Sequence, residues 1–327
     1  MSGIVALVEH EAGRPDRLSL EALTIAGRLG TALGAPVHAA LFGTGADVTA
    51  AGLGAFGVAT AHVIAHDHLD AYAPAAWSVA LGQVVDTGSF DAVVAPGSER
   101  GTEVLAHLAA LAGSAMAANV VDVEPGARWK VTRQRWAGSL LEEAWLDGSP
   151  RLLTVAPHGV GALEPAASAA PPTVVPLTPV LSERDLRVRV SRHVPSAADS
   201  VALTEAKVVV GGGRGIGSSE GFAMLEELAS LLGGAVGVSR VATSLGWRPH
   251  AEQIGQTGAR IAPDLYIACG ISGAIQHIVG CKAAKRILVI NKDSDAPIFS
   301  RATYAVVGDV HTVVPAISAE IRRTRGG

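Results

Sequence analysis

Short unbroken apolar runs alternate along the first half of this chain with longer stretches whose apolar residues return every three or four positions. Residues 3–9 form the first run, and the stretch after Ser19 carries Leu20, Leu23, Ala26 and Leu29 at helical spacing, with Ser19 placed to cap that helix. The pairing recurs: 37–41 precedes an Ala/Gly-rich helical stretch, 62–64 precedes a helix over 71–85, and 90–95 leads into a helix through 102–108. Strands that are apolar on both faces need a layer of helices on each side, so this rhythm predicts a parallel sheet.

The rhythm changes after Ala118. Residues 131–136, 139–145 and 151–155 alternate partially and are separated by Ala137-Gly138 and Asp147-Gly148, which predicts antiparallel edge strands joined by hairpin turns. Pro165, Pro171, Pro172, Pro176, Pro179 and Pro195 then break any helix or central strand and mark a connector. A second alternation follows, with strands over 207–210, 235–238, 265–269, 287–290 and 304–307. A helix over 219–232 carries Phe222, Leu225, Leu228 and Leu232 on one face, and a last helix is entered through Pro315. The expected fold is thus α/β in two domains: an N-terminal parallel-sheet α/β domain over 1–163, a Pro-rich connector over 164–199, and a C-terminal doubly wound α/β domain over 200–327.

Composition narrows the function. Of 327 residues 49% are apolar and 17% charged, which excludes a disordered chain. Twenty-six basic against 30 acidic residues give a net charge of −4, with no basic stripe, so nucleic acid is not the expected partner. No apolar run approaches the ~18 residues of a membrane span, and the opening residues lack a basic leader, so the chain reads as cytoplasmic. Cys269 and Cys281 match no metal or redox spacing and read as core residues, and no metal ligand set is expected.

The candidate chemistry lies at the expected strand ends of the second domain, where open α/β sheets bind ligands. Gly211-Gly212-Gly213-Arg214-Gly215-Ile216-Gly217 joins a strand to a helix; its glycines let backbone amides approach an oxyanion, and Arg214 adds a bidentate donor. It fits neither strict G-x-G-x-x-G nor a P-loop. Ser239-Arg240 offers a cation for phosphate or a flat ring. Gln253-Ile254-Gly255-Gln256-Thr257-Gly258 offers amides and a hydroxyl to carbonyl and ring-nitrogen acceptors. Gly270-Ile271-Ser272-Gly273-Ala274-Ile275-Gln276-His277 opens another helix, with His277 in its first turn. Asn291-Lys292-Asp293 and Gly308-Asp309-Val310 end the last two strands with groups that accept from ribose hydroxyls. Singly, each cluster also reads as turn chemistry, a surface ion pair or a packed histidine; six at successive strand ends describe a crevice for an extended dinucleotide.

These clusters, with Pro263-Asp264-Leu265-Tyr266-Ile267-Ala268 and Ala296-Pro297-Ile298-Phe299, resemble the alpha subunit of electron transfer flavoproteins continuously over residues 207–315. The N-terminal half resembles that family only in architecture and in Leu7-Val8-Glu9-His10. The resemblance implies an electron carrier, not an enzyme with its own substrate chemistry. One FAD is held mainly by the C-terminal domain, in a heterodimer with a beta subunit, taking electrons from flavin dehydrogenases such as those of fatty acid beta-oxidation and passing them to a quinone reductase. It implies that Arg214, Ser239, Ser272, Gly273 and Ala274 serve the pyrophosphate, and that Asn291, Asp309 and Val310 serve the ribose and adenine. Arg240, Gln256, Thr257 and His277 then surround the isoalloxazine, within a cofactor-binding set that also takes in Gln253, Ile254, Gly255, Ile275 and Gln276. The family's usual Asp, five residues after the Ser of the Ser-Arg pair, is Ser244 here. The lysine-rich segment 281–285 also departs from the pattern.

Two readings from other classes stand beside this one. A NAD(P)-dependent oxidoreductase of double α/β architecture needs a strict dinucleotide fingerprint and a proton-transfer pair. A nucleotide-binding scaffold would leave the six clusters idle.

Overall fold

Residues 3–7 are all buried, as a strand covered by helices on both faces must be. This is β1 (Gly3–Leu7), an interior strand of the first sheet in a computed structural model that describes residues 3–190 and 202–325. The chain divides into two units, Met1–His193 and Val194–Gly327. Pro195 and the end of the expected connector lie outside the described residues.

In the first unit β1 is followed by a two-residue ribbon of β2 (His10–Glu11) and β3 (Arg14–Pro15), then α1 (Arg17–Leu33), β4 (Val37–Phe42), α2 (Ala46–Gly52), β5 (Val58–Ile64), α3 (Pro74–Asp86), β6 (Phe90–Ala95) and α4 (Glu99–Ala112). Next come β7 (Met116–Glu124), β8 (Trp129–Arg135), β9 (Leu140–Leu146), β10 (Arg151–Val155) and β11 (Thr173–Leu177). They form one nine-stranded sheet in the order β11-β5-β4-β1-β6-β10-β7-β8-β9. Within this sheet only the β7–β8 and β8–β9 pairs are antiparallel. One core packs α1 and α2 against one face, and the other packs α3 and α4 against the opposite face.

Three expectations are corrected here. Ser19 does not cap α1 but lies inside it, where its Oγ accepts the Glu9 N–H at 2.8 Å. Residues 151–155 are not an antiparallel edge but a parallel strand between β6 and β7. Leu152, Leu153, Thr154 and Val155 are all buried, and only an interior position covers both faces. Asp147-Gly148 is therefore no hairpin turn. The Pro-rich stretch is not wholly a connector, because β11 pairs with β5. Pro176 is tolerated because Leu177 presents its carbonyl to Ala65 at 3.0 Å; residue 176, one position back, faces the open side of an edge strand, where no ladder donor is needed. The Gln83 side-chain amide also donates to Val180 O and accepts the Val180 N–H, fixing this stretch to the first unit.

The second unit runs β12 (Val208–Gly212), α5 (Ala223–Leu232), β13 (Ala235–Val238), α6 (Arg240–Ser244), β14 (Leu265–Cys269), α7 (Ile275–Cys281), β15 (Ile287–Asn291), β16 (Tyr304–Val307) and α8 (Val310–Arg325). Its five strands are all parallel, in the order β13-β12-β14-β15-β16. Chain direction across the sheet reverses between β12 and β14, a switch point that opens a crevice at the strands' carboxyl ends. Phe222, Leu225 and Leu228 are fully buried, as the helical spacing required, although the first turn is 3₁₀ (Glu220–Phe222). The last helix begins at Val310, five residues before Pro315: the Asp309 carboxylate accepts the His311 N–H at 2.9 Å and starts it there, and Pro315 sits inside. Cys269 and Cys281 are buried, free thiols, each pushed by burial to about 12.

Candidate functional site

The loops leaving β12 and β14 touch backbone to backbone. Gly213 N donates to Cys269 O and Gly215 N to Gly270 O, both at 3.0 Å. A Cβ on Gly270, whose φ is +61°, would stand 2.7 Å from Gly215 Cα, and one on Gly215 would stand 2.7 Å from Gly270 Cα. These glycines permit loop-to-loop contact, on which the amides of Gly213 and Gly215 are spent. The amides of Ile216 and Gly217 are likewise taken, by Gly213 O and Arg214 O. The amides of Ser272, Gly273 and Ala274 donate to no protein acceptor among the described residues.

Above this floor is a cavity of about 620 Å³, within the range of small-molecule sites. All the residues of the expected cofactor-binding set line it except Ile275, Asp309 and Val310. Ile275 is 76% exposed, Val310 is buried in the core beneath α5 and α8, and Asp309 pairs with Lys292 Nζ at 2.8 Å. Arg214 and Arg240 face Asp293 as the one carboxylate of the lining, so the balance favours an anion. Ser244 is in the lining too, at the place of the family's Asp.

Two side-chain arrangements stand at the cavity wall. Thr243 Oγ1 donates to Gln253 Oε1 at 2.6 Å, and Gln253 Nε2 donates to Thr257 Oγ1 at 3.0 Å. Thr257 thus accepts from the protein and keeps its own hydroxyl proton for the cavity. Nε2 of His277 lies 2.8 Å from the Tyr266 hydroxyl, while its Nδ1 is buried without a protein partner. Burial lowers this imidazole to about 4, only partly opposed by the Ile254 backbone, so it is neutral near pH 7. Asn291 instead commits its side chain to the loops, donating to Ile271 O at 2.9 Å and accepting the Asp293 N–H at 3.1 Å.

Sequence reasoning missed Val241 and Leu245, an apolar i, i+4 pair in the lining that is 42% and 53% exposed. Their spacing after Ser239-Arg240, with no core partner to cover them, was the available signal. Together the apolar wall, two guanidiniums and the free amides suit a large planar cofactor with an anionic tail.

The description "Electron transfer flavoprotein domain" belongs to a family model that matches residues 4–180, and "Electron transfer flavoprotein FAD-binding domain" to one that matches 202–282. The electron transfer flavoprotein subunit alpha of Mycobacterium leprae (strain TN) is 37% identical over 327 residues, all of both chains. That of Mycobacterium tuberculosis (strain ATCC 25618 / H37Rv) is 38% identical over 341 residues, again covering 100% of each. The chain belongs to the electron transfer flavoprotein alpha-subunit family. The subunit alpha of Syntrophomonas wolfei is 33% identical over 99% of this chain and 100% of its own. The FAD-binding match falls within the second unit and makes FAD the cofactor of this alpha-subunit chain. Family membership also implies a beta-subunit heterodimer, and it extends through the amino-terminal unit, where the sequence alone offered only Leu7-Val8-Glu9-His10. No helix among the described residues is long and apolar enough to cross a membrane.

Proposed function

We propose that this chain, paired with a beta subunit in the cytoplasm, holds one FAD in the crevice between the carboxyl ends of β12 and β14. In that state it carries electrons from flavin dehydrogenases, such as acyl-CoA dehydrogenases, to a quinone reductase. FAD supplies the reversible acceptance of electrons when bound; the chain's residues bind and orient it. The observation that carries this reading is the meeting, around one cavity, of Arg214, Arg240 and the unpaired amides of Ser272, Gly273 and Ala274.

Arg214 and the three amides suit the pyrophosphate, since directed donors in a water-poor crevice hold an anion more strongly than in bulk water. Ser239, at the end of β13, lies on the same side. Arg240, Gln256, Thr257 and His277 suit the ring system, with Val241 and Leu245 covering its apolar part. Because the Asn291 side chain is already committed and the Val310 side chain is in the core, the ribose and adenine end falls to backbone groups around 291 and 309–310. Positive charge beside the ring lowers the energy of negative charge gained there on reduction.

Coexpression with the beta subunit tests this directly. The purified complex is expected to show a flavin spectrum and release FAD on denaturation. It should also be reduced by an acyl-CoA dehydrogenase with substrate and reoxidised through a quinone reductase. A complex that stays colourless with added FAD refutes the site. A loaded complex that neither protein reduces nor oxidises refutes the proposed donor and acceptor.

A further inference from the structure

Gln253 is buried, and its main chain is pinned on every side. Its N–H donates to His250 O at 3.0 Å, its carbonyl accepts the Ala259 N–H at 2.7 Å, and the next residue, Ile254, donates to Val238 O at 2.8 Å. Gly258 permits this fold-back, because a Cβ there would stand 2.3 Å from Gln253 O. The loop thereby sets Thr257 against the Gln253 side chain. What the main chain leaves open is which end of that side-chain amide faces which neighbour. Both neighbours are hydroxyls, Thr243 at 2.6 Å and Thr257 at 3.0 Å, and a hydroxyl can donate or accept.

The distances decide the order. A separation of 2.6 Å is shorter than the roughly 2.7–3.2 Å of an N–H···O bond and falls within the roughly 2.5–3.0 Å of an O–H···O bond, whereas 3.0 Å is ordinary for N–H···O. Thr243 therefore donates to Oε1, and Nε2 donates to Thr257. The reverse order would commit the single Thr243 proton to Arg240 O, at 2.9 Å the more distant of its two acceptors. Thr243 does not line the cavity, although Arg240, Val241 and Ser244 of the same helix do. Thr257 is exposed and does line it.

We propose that Thr243 is a positioning residue outside the crevice: its hydroxyl holds the Gln253 amide with Nε2 toward Thr257, and so fixes Thr257 as a hydrogen-bond donor to an acceptor atom of FAD. With the amide turned over, Oε1 would take the Thr257 proton and only lone pairs would face that acceptor. The order of the chain follows from the protein alone; its target rests on the reading of the crevice as the FAD site.

The test uses the full chain with ¹⁵N-labelled glutamine, paired with unlabelled beta subunit, without and with FAD. Gln253→Leu identifies the Gln253 side-chain signals among the five glutamines. In the FAD-free wild type the Nε2 protons are expected to show stronger nuclear Overhauser contacts to Thr257 than to Thr243, and Thr243→Val to divide them between two amide orientations. Thr243→Val should weaken FAD binding roughly tenfold, the equivalent of one lost hydrogen bond. Thr243→Ser, which keeps the hydroxyl, should bind within about twofold of the wild type, and in a Thr257→Val background the loss from Thr243→Val should also fall below about twofold. Stronger contacts to Thr243 in the wild type overturn the proposal, as does an equal loss of affinity in both backgrounds or an equal loss in Thr243→Ser and Thr243→Val. The wild-type spectrum decides the order even if Thr243→Val fails to fold. A wild-type complex with the expected contacts but no FAD affinity overturns the target and the FAD reading while leaving the order of the chain in place.

Discussion

Gly270→Ala probes the contact between the two switch-point loops. The residue has φ +61°, which costs an L-amino acid about 1–2 kcal/mol. Its added Cβ would stand 2.7 Å from Gly215 Cα, 2.9 Å from Gly215 C and 3.2 Å from Gly215 N, all backbone atoms that cannot rotate aside. Forced overpacking of this kind costs a further ~1–3 kcal/mol, giving roughly 2–5 kcal/mol in all, against a usual stability of about 5–15 kcal/mol. Gly217→Ala is the control, since φ there is +85° but nothing lies within 4 Å of the new methyl; only the ~1–2 kcal/mol backbone cost applies. The assay pairs denaturant unfolding of the FAD-free complex with titration of FAD by flavin fluorescence. Separating the loops moves Ser272, Gly273 and Ala274 away from Arg214, so Gly270→Ala should also lose about ten- to hundredfold in FAD affinity. Equal unfolding midpoints and equal affinities for the two variants would refute the steric reasoning.

Gln253→Leu removes the donor that orients Thr257 and the acceptor of Thr243, and is expected to weaken FAD binding about tenfold while costing ~1–2 kcal/mol in denaturant unfolding. Pro315→Ala supplies the N–H missing inside α8 at an exposed position, so thermal unfolding of the second unit should shift upward, by the equivalent of ~1–3 kcal/mol. His38 and His62 lie 3.2 Å apart, Nδ1 to Nε2, and burial lowers both below the usual histidine range. The unfolded chain takes up protons there that the fold refuses. Their contribution is therefore complete above about pH 6.5 and declines as the pH falls below it. Unfolding free energies measured from pH 8 to 5 should show a shallower decline in His62→Phe than in the wild type; parallel curves would exclude the pair as the source.

What could be read from sequence was what local pattern controls. Residues 265–269 and 304–307 are strands with the expected bounds, because unbroken apolar runs between helices have few other conformations. Five of the six clusters reach one cavity because parallel strands all end on the same side of their sheet; the sixth, Gly308-Asp309-Val310, lies outside it. Partnership across the sequence was not legible. Nothing local in 151–155 says that it enters between β6 and β7, and Pro176 reads as a breaker until its side of the edge strand is known. Gly211, Gly215 and Gly270 read as ligand glycines, yet each is required by a protein atom that approaches from another strand or loop. Tyr266 reads as core and is core; its 2.8 Å contact with His277 is a pairing that no local pattern announces.

The entry of β10 between β6 and β7 has a consequence for biosynthesis. When residue 124 has left the ribosome, β6 and β7 are both outside, but the strand that belongs between them is still inside the exit tunnel. Two neighbouring ladders stand open across a gap of two strand spacings, roughly 9–10 Å. Each is a template on which a foreign strand can add. A nascent chain stalled with residues 151–155 still inside the ribosome exposes both, and emergence of residue 155 closes them together with the chain's own backbone.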